Sequence, residues 1–188
     1  MPEVLLRPAG VEEKDSFTSH FQDYLRELSR LNGALPNRHG VFEYGLYDMY
    51  WRDERFMPFF IECDGRCAGL LLLRELPEHE SPDRRDSLQV AEIYVFKPHR
   101  RRAIGTQAMR LAAAMAEERG KPLTWSAYIN NRPANDLYRL VLDEFGGKDG
   151  AWATKRTSGI DQSGLARFYY KMAPAGAAES DRMRGFAV

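Results

Sequence analysis

Cysteine is scarce in this sequence, two residues among 188, Cys63 and Cys67. They bracket Asp64-Gly65-Arg66, and an Asp-Gly pair between two apolar runs marks a tight β-hairpin turn. Both thiols therefore read as small, half-buried strand residues, with no structural disulfide expected. Histidine is also sparse. His20, His39, His79 and His99 stand apart, without partners at ligand spacing, which predicts no metal site. Net charge is absent, 27 Lys plus Arg against 27 Asp plus Glu, so no global field draws nucleic acid or an anionic membrane, and any anion site must be local. The longest apolar run, Cys67–Leu73, falls far short of the roughly 20 residues that a membrane-spanning helix needs. The opening, Met1–Pro8, lacks the basic and apolar segments of a secretory signal, which predicts a cytoplasmic protein.

What remains is an ordinary globular composition, 44% hydrophobic and 29% charged, with neither repeats nor low-complexity blocks. The length predicts one domain over residues 1–174, followed by a small, polar, flexible tail over residues 175–188. Val4–Arg7 reads as a strand. Phe17, Phe21, Tyr24, Leu25, Leu28 and Leu31 recur at threes and fours, the stripe of a helix that Asn32-Gly33 closes. The aromatic-rich segment Phe42–Arg52 reads as a second, shorter helix. Phe56–Glu62 and Arg66–Arg74 are strands around the Asp64-Gly65 turn. Leu76–Ser87, with Pro77 and Pro82 and many charges, is an exposed, mobile loop.

Leu88–Val95 is the next strand. A helix on Ile104, Ala108, Leu111, Ala112 and Met115 follows and stops at Gly120. Leu123–Ile129 is a strand, and Ala134, Leu137, Tyr138, Val141, Leu142 and Phe145 mark another helix with Pro133 in its first turn. Ala151–Thr157 and Leu165–Met172 close the pattern. The order β-α-α-β-β-β-α-β-α-β-β predicts a mixed α/β sandwich, a central sheet flanked by helices, with a β-α-β unit at its middle.

The chemistry-bearing stretch runs Glu92-Ile93-Tyr94-Val95-Phe96-Lys97-Pro98-His99-Arg100-Arg101-Arg102-Ala103-Ile104-Gly105-Thr106. A strand enters a loop of three arginines, and small residues then open a long helix. The first N–H groups of a helix lack intrahelical partners and face a positive dipole end, which suits phosphate. Ala103 and Gly105 would let the backbone approach a pyrophosphate closely, and the arginines add charge. The run matches neither the Walker A nor the dinucleotide fingerprint. By itself, an arginine cluster is more often a solvated patch.

Arg100-Arg101-Arg102-Ala103-Ile104-Gly105 resembles the coenzyme motif of the GNAT superfamily of acetyl-CoA-dependent N-acetyltransferases, Gln/Arg-x-x-Gly-x-Gly/Ala at a strand-to-helix junction. Asn131-Arg132-Pro133-Ala134-Asn135-Asp136-Leu137-Tyr138 is similar to the family's second signature, Asn-x-x-Ala-x-x-Leu/Phe-Tyr. Both follow strands, in the family's order, and the likeness spans roughly residues 3 to 173. In wording it is nearest to bacterial GNAT proteins known as predicted acetyltransferases. Ala103 stands where the family usually has its first glycine, a mild change if the backbone there is helical.

The resemblance implies the GNAT fold and acetyl-CoA as acyl donor, with no metal. Backbone N–H groups of Arg101, Arg102, Ala103, Ile104, Gly105 and Thr106 would hold the pyrophosphate, with the Arg100 or Arg102 side chain assisting. The strand ending near Val95 would splay from the one starting at Leu123 to admit pantetheine, and amides around Tyr94 and Val95 would polarise the thioester. Glu92 becomes the candidate general base, or else a strand acid facing solvent. Tyr138 becomes the candidate acid for the leaving thiolate, a role compatible with a core tyrosine. Asn131 is a helix cap, a coenzyme contact, or both.

Tyr44, Tyr47, Asp48 and Trp51 are candidates for the acceptor pocket, against a reading as core aromatics and a solvated acid. The expected activity is direct transfer of acetyl to a primary amine, a small molecule before a protein. A non-catalytic acyl-CoA-binding module is the alternative. A homodimer is compatible with the sequence.

Overall fold

The computed structural model describes residues 3–81, 85–147, 152–161 and 163–174. The tail expected at 175–188 and residues 82–84 of the expected mobile loop lie outside them. Seven strands form one sheet. They are β1 (Val4–Pro8), β2 (Phe56–Cys63), β3 (Arg66–Leu76), β4 (Ser87–Val95), β5 (Leu123–Tyr128), β6 (Trp152–Ile160) and β7 (Ala166–Pro174). The order across the sheet is β1-β2-β3-β4-β5-β7-β6, with β4 and β5 parallel and every other pair antiparallel. Three helices cover it, α1 (Lys14–Asn32), α2 (Ile104–Glu118) and α3 (Arg132–Gly147). None of the described helices is long and apolar enough to cross a membrane.

The helices follow the expected stripes. Phe17, Phe21 and Leu25 of α1 are buried on one face of the sheet with Phe60, Leu70 and Leu72. Gly33 ends α1 in the left-handed conformation at φ 72°, its N–H donating to the Ser29 carbonyl 2.8 Å away. On the other face α2 buries Ile104, Ala108, Met109, Ala112, Ala113 and Ala116, and the alanines bring its backbone close to β4 and β5. Asp64 and Gly65 both take positive φ, 51° and 72°, the requirement of a primed two-residue hairpin turn. Of the two cysteines, Cys63 is buried and Cys67 is exposed, rather than both half-buried.

The second helix expected at Phe42–Arg52 does not form. Only a 3-10 segment, Tyr47–Trp51, is present. Gly45 and a run of aromatics favour helix weakly, and the rings are drawn instead into the face covered by α1. Tyr47 stacks on Phe21 at 5.1 Å between ring centroids, and Trp51 meets Phe17 edge-on at 5.6 Å.

Two backbone features shape the middle of the sheet. Between β3 and β4 the register steps from Leu72↔Glu92 to Leu73↔Val90, leaving Ala91 as an extra, bulged residue. Parallel pairing of β4 with β5 covers only Leu88↔Leu123, Gln89↔Thr124 and Val90↔Trp125. From the bulge onward β4 runs without β5 beside it. At its far end Gly69 of β3 lies so close that a Cβ there would sit 2.3 Å from the Tyr94 carbonyl oxygen.

The loop from β4 to α2 is strained. Arg101 (φ 60°) and Ala103 (φ 59°, ψ 9°) both occupy the left-handed region, so the backbone at Ala103 is not the right-handed helix that would make alanine a mild substitute for glycine. A left-handed Cβ costs roughly 1–2 kcal/mol, and glycine returns about 0.4–1 kcal/mol of that as extra unfolded-state entropy. Ala103→Gly is expected to raise stability by about 0.5–1 kcal/mol, read as a rise of a few degrees in Tm; an unchanged or lower Tm would contradict the strain. Gly69→Ala should cost about 1–3 kcal/mol in denaturant unfolding, because the atom it meets is backbone that cannot rotate away.

Candidate active site

Amides along a strand alternate in direction. Phe96 N–H donates to the Ala68 carbonyl on β3 at 2.9 Å, so the Tyr94 N–H points to β3 as well, while those of Ile93 and Val95 point away, to the side β5 has left. Of the two amides expected to polarise a thioester, Val95 faces the opening and Tyr94 does not. Ile93, which the sequence did not single out, shares the Val95 orientation.

Side chains of Leu70, Leu72, Glu92 and Tyr94 lie on the α1 face, since cross-strand partners share a face. Glu92 points into a polar pocket among aromatics. Its carboxylate accepts a hydrogen bond from the Tyr24 hydroxyl, and Tyr44 bonds it from the loop before the 3-10 segment. Burial raises the Glu92 pKa, while Tyr24, Arg167, Tyr44 and Arg74 oppose the shift without cancelling it. It is not a strand acid facing solvent.

Tyr138, buried on α3, packs against Trp125 and Tyr170 at 5.7 and 5.2 Å. Burial and then the nearby Glu92 charge lift its hydroxyl pKa well above the ordinary phenol value, so it stays protonated. The parting of β4 from β5 thus puts one carboxylate and one phenol within electrostatic reach of each other, from opposite faces of the sheet.

The arginine run is split in its duties. Arg100 donates from both Nη atoms to Glu27 of α1, at 2.8 and 3.0 Å, and from Nε to the Val95 carbonyl at 2.8 Å. It ties α1 to the end of β4 and is not turned to the start of α2. Arg101 and Arg102 are exposed, with Arg102 reaching Asp64 only at 3.9 Å. Ala103 gives α2 no side-chain cap, and the first intrahelical bond is Gln107 N–H to Ala103 O at 3.0 Å. The N–H groups of Ile104, Gly105 and Thr106 are therefore left over. His99 Nδ1 in the preceding loop and Gln107 Nε2 in the first turn are buried and find no partner among the described residues. The unspent helix N–H groups fit a phosphate-bearing coenzyme.

Gly105 also serves packing. A Cβ there would lie 3.1 Å from Leu137 Cδ2 of α3 and 3.6 Å from Val95 Cγ2. Asn131 caps α3, its Oδ1 accepting from Ala134 N–H at 3.3 Å.

The acceptor candidates divide too. Tyr44 stands beside Glu92. Tyr47 and Trp51 belong to the α1 packing, Tyr47 sharing a 2.7 Å hydrogen bond with Thr18, and Asp48 pairs with Lys14 at 3.0 Å on the surface. Sequence reasoning missed Tyr24, which looked like one more stripe residue of α1, and Arg167, whose cue was a cation at the start of an aromatic-rich strand. It also missed Asn135. That side chain donates to the Tyr128 and Ile129 carbonyls at 3.0 and 3.1 Å and accepts from the Tyr170 hydroxyl at 2.7 Å, locking α3 to β5 and β7. Among the described residues no group of three His, Cys, Asp or Glu could hold a metal ion.

A groove of about 330 Å³ lies between α1 and the loop after β4, lined by Asp23, Glu27, Tyr94, Phe96 and Lys97 among others, but neither Glu92 nor Tyr138 borders it.

Known proteins resemble the chain in both sequence and shape. The profile of the Acetyltransferase (GNAT) family matches residues 19–141. No curated protein matches the sequence. A ribosomal-protein-alanine N-acetyltransferase from Brucella melitensis biovar Abortus 2308 superposes with a TM-score of 0.53 at 19% identity, over 74% of this chain and 90% of that one. A GNAT-family acetyltransferase from Listeria monocytogenes gives 0.59 at 13%, over 89% and 94%. The PaiA N-acetyltransferase of Thermoplasma acidophilum, solved in complex with coenzyme A, gives 0.57 at 8%, over 89% and 98%. At these identities the structural likeness speaks for the fold, and the family profile, which spans more than half the sequence, decides membership: the chain belongs to the GNAT family and is an acyl-CoA-dependent acyltransferase.

Proposed function

We propose that the protein transfers acetyl from acetyl-CoA to the primary amine of a small molecule by direct attack within a ternary complex. The carrying observation is the pairing of a half-buried, hydrogen-bonded carboxylate, Glu92, with a buried phenol, Tyr138, at the place where β4 leaves β5. Coenzyme A or acetyl-CoA accompanies two of the structural relatives, the Thermoplasma protein and one from Bacillus anthracis.

Acetyl-CoA supplies an activated carbonyl. The unspent N–H groups of Ile104 and Thr106, with the exposed Arg101 and Arg102, would hold its pyrophosphate, and the Val95 N–H would donate to the carbonyl oxygen. Glu92 takes the proton of the incoming ammonium, the freed nitrogen attacks, the C–S bond breaks, Tyr138 gives its proton to the departing thiolate, and the second proton shed by the acylated nitrogen restores the phenol. Cys63 and Cys67 flank the β2–β3 turn, away from Glu92, so the amine itself is the nucleophile. Much of the rate would come from positioning, which can be worth about 7–11 kcal/mol.

Glu92→Gln should lower turnover by about 10²- to 10⁴-fold while acetyl-CoA still binds in calorimetry. Because the folded carboxyl titrates above the ordinary range, the parent's acid limb should lie above that range and be missing from the variant's residual rate. The same shift sets a stability effect. The folded chain holds this proton more tightly than the unfolded one, so stability is full below the ordinary carboxylate pKa and part is lost as pH rises through the folded value. Glu92→Gln should therefore melt no lower than the parent at pH 7, with the difference closing toward acid pH. An unaltered rate and pH profile would assign the proton to another group, and full coenzyme binding without turnover on any amine would favour a non-catalytic module.

Tyr138→Phe keeps the ring between Trp125 and Tyr170 and removes only the hydroxyl. Turnover should fall about tenfold to a hundredfold with Tm nearly unmoved, since a thiol of pKa about 8.5 leaves with little help. A fully active variant would make Tyr138 a packing residue only.

A further inference from the structure

Arg167 is a half-buried cation for which the proposed transfer has no use. It pairs with Tyr128 in the β5–β7 register, and its guanidinium lies 4.0 Å over the Tyr128 ring. Tyr128 accepts a hydrogen bond from Asn32 of α1 at 3.3 Å, so Tyr128 and Arg167 look to the same face of the sheet as Glu92. They stand on the β5 side of the opening, and Glu92 stands on the β4 side.

Each charge is held by its own partners and does not collapse onto the other. Glu92 is bonded by Tyr24. Arg167 donates from Nε to Asp161 at 2.6 Å and from Nη1 to Ser126 Oγ at 3.1 Å. Asp161 is itself fixed. Burial would raise its pKa, but hydrogen bonds from Ser163, the Leu165 amide and Arg167 outweigh this and hold it near 2. The anchor of Arg167 is thus a permanent carboxylate in the β6–β7 connection. Among the described residues two of the five guanidinium N–H groups are spent in this way, leaving three for a ligand. Even at the distance that separates them, the Glu92 and Arg167 charges feel each other.

We infer that the acceptor carries an anion beside its amine, as an α-amino acid does, with the ammonium turned to Glu92 on one rim of the opening and the carboxylate to the free N–H groups of Arg167 on the other. This rests on the acetyl-transfer reading above and narrows its substrate. A polycationic amine would set a second positive charge against Arg167, and a neutral amine would leave that guanidinium unanswered.

The test measures thiol release from acetyl-CoA for each of a set of α-amino acids against the amine that remains after its decarboxylation, with spermidine as polycation. The expected result is kcat/KM about 10- to 100-fold higher for the amino acid of a productive pair, the worth of one charge-assisted contact, expressed mainly in KM. Arg167→Gln should draw that ratio toward one, and Arg167→Lys, which keeps the charge but loses the fork, should retain part of it. The comparison in the unaltered protein stands even if loss of the Asp161 contact unfolds the variants. Equal kcat/KM within pairs, preference for spermidine, or a ratio unmoved in folded Arg167→Gln would overturn the carboxylate site while leaving acetyl transfer in place. Absence of thiol release with every amine, though acetyl-CoA binds, would remove the transfer reading and this inference with it.

Discussion

A sheet whose two central strands separate must do something with the backbone groups it stops pairing. Here β4 and β5 share three register pairs and then part at the Ala91 bulge, leaving the outward amides of Ile93 and Val95 without a strand partner. Buried or half-buried amides are expensive to leave unanswered. The opening is therefore a demand for hydrogen-bond acceptors, which a thioester carbonyl and the amides of a pantetheine arm can meet. The bulge also turns Ala91 and Glu92 to the same face, a choice that simple alternation along the strand would forbid.

The rest of the centre is arranged around that parting. Arg100 caps the free end of β4 through the Val95 carbonyl and fastens it to α1 through Glu27, so the unpaired half-strand keeps its line without a neighbour on one side. Asn135 performs the matching service for β5, taking the carbonyls at its end and passing the connection to Tyr170 of β7. Neither device adds much stability. An ion pair as exposed as Glu27–Arg100 contributes about 0–1 kcal/mol. Their effect is positional, fixing the two rims at a constant separation.

What could be read from the sequence was local. The α1 stripe, the Asp64-Gly65 turn, the glycine stops and the order of elements follow from periodicity and turn chemistry acting over a few residues. The strand-to-helix junction and the positions of Glu92 and Tyr138 came through a motif likeness. What was not legible depends on partners far along the chain. Arg100 looked like a phosphate ligand because Glu27, 73 residues earlier, could not be known to face it. The packing role of Gly105 was hidden because the approach of Leu137 is a tertiary fact. The aromatic segment around Tyr47 was given a helix because ring packing on Phe21 and Phe17 overrides weak local preference. The left-handed backbone of Ala103 was hinted at only by the glycine that the family usually has there, since alanine itself seldom takes that conformation.

The short seam between β4 and β5 has a further meaning for how the molecule is assembled. β2, β3 and β4 are joined as sequential hairpins that can zip locally, with β1 added across α1, whereas β5, β7 and β6 form their own ladder of nonsequential order. Within the sheet the two halves meet only along those three pairs, and α2 and α3 bridge them from one face. Closure of the seam joins residues 35 positions apart, with all of α2 between them. Such contacts carry a loop-closure cost that the hairpins escape, which places the seam late in folding and makes it the line along which the sheet first opens under load. The parting of β4 from β5 is thus also the molecule's own fault line, bridged by α2 and α3 on one face and on the other by α1, which packs on β2 and β3 and reaches Tyr128 of β5.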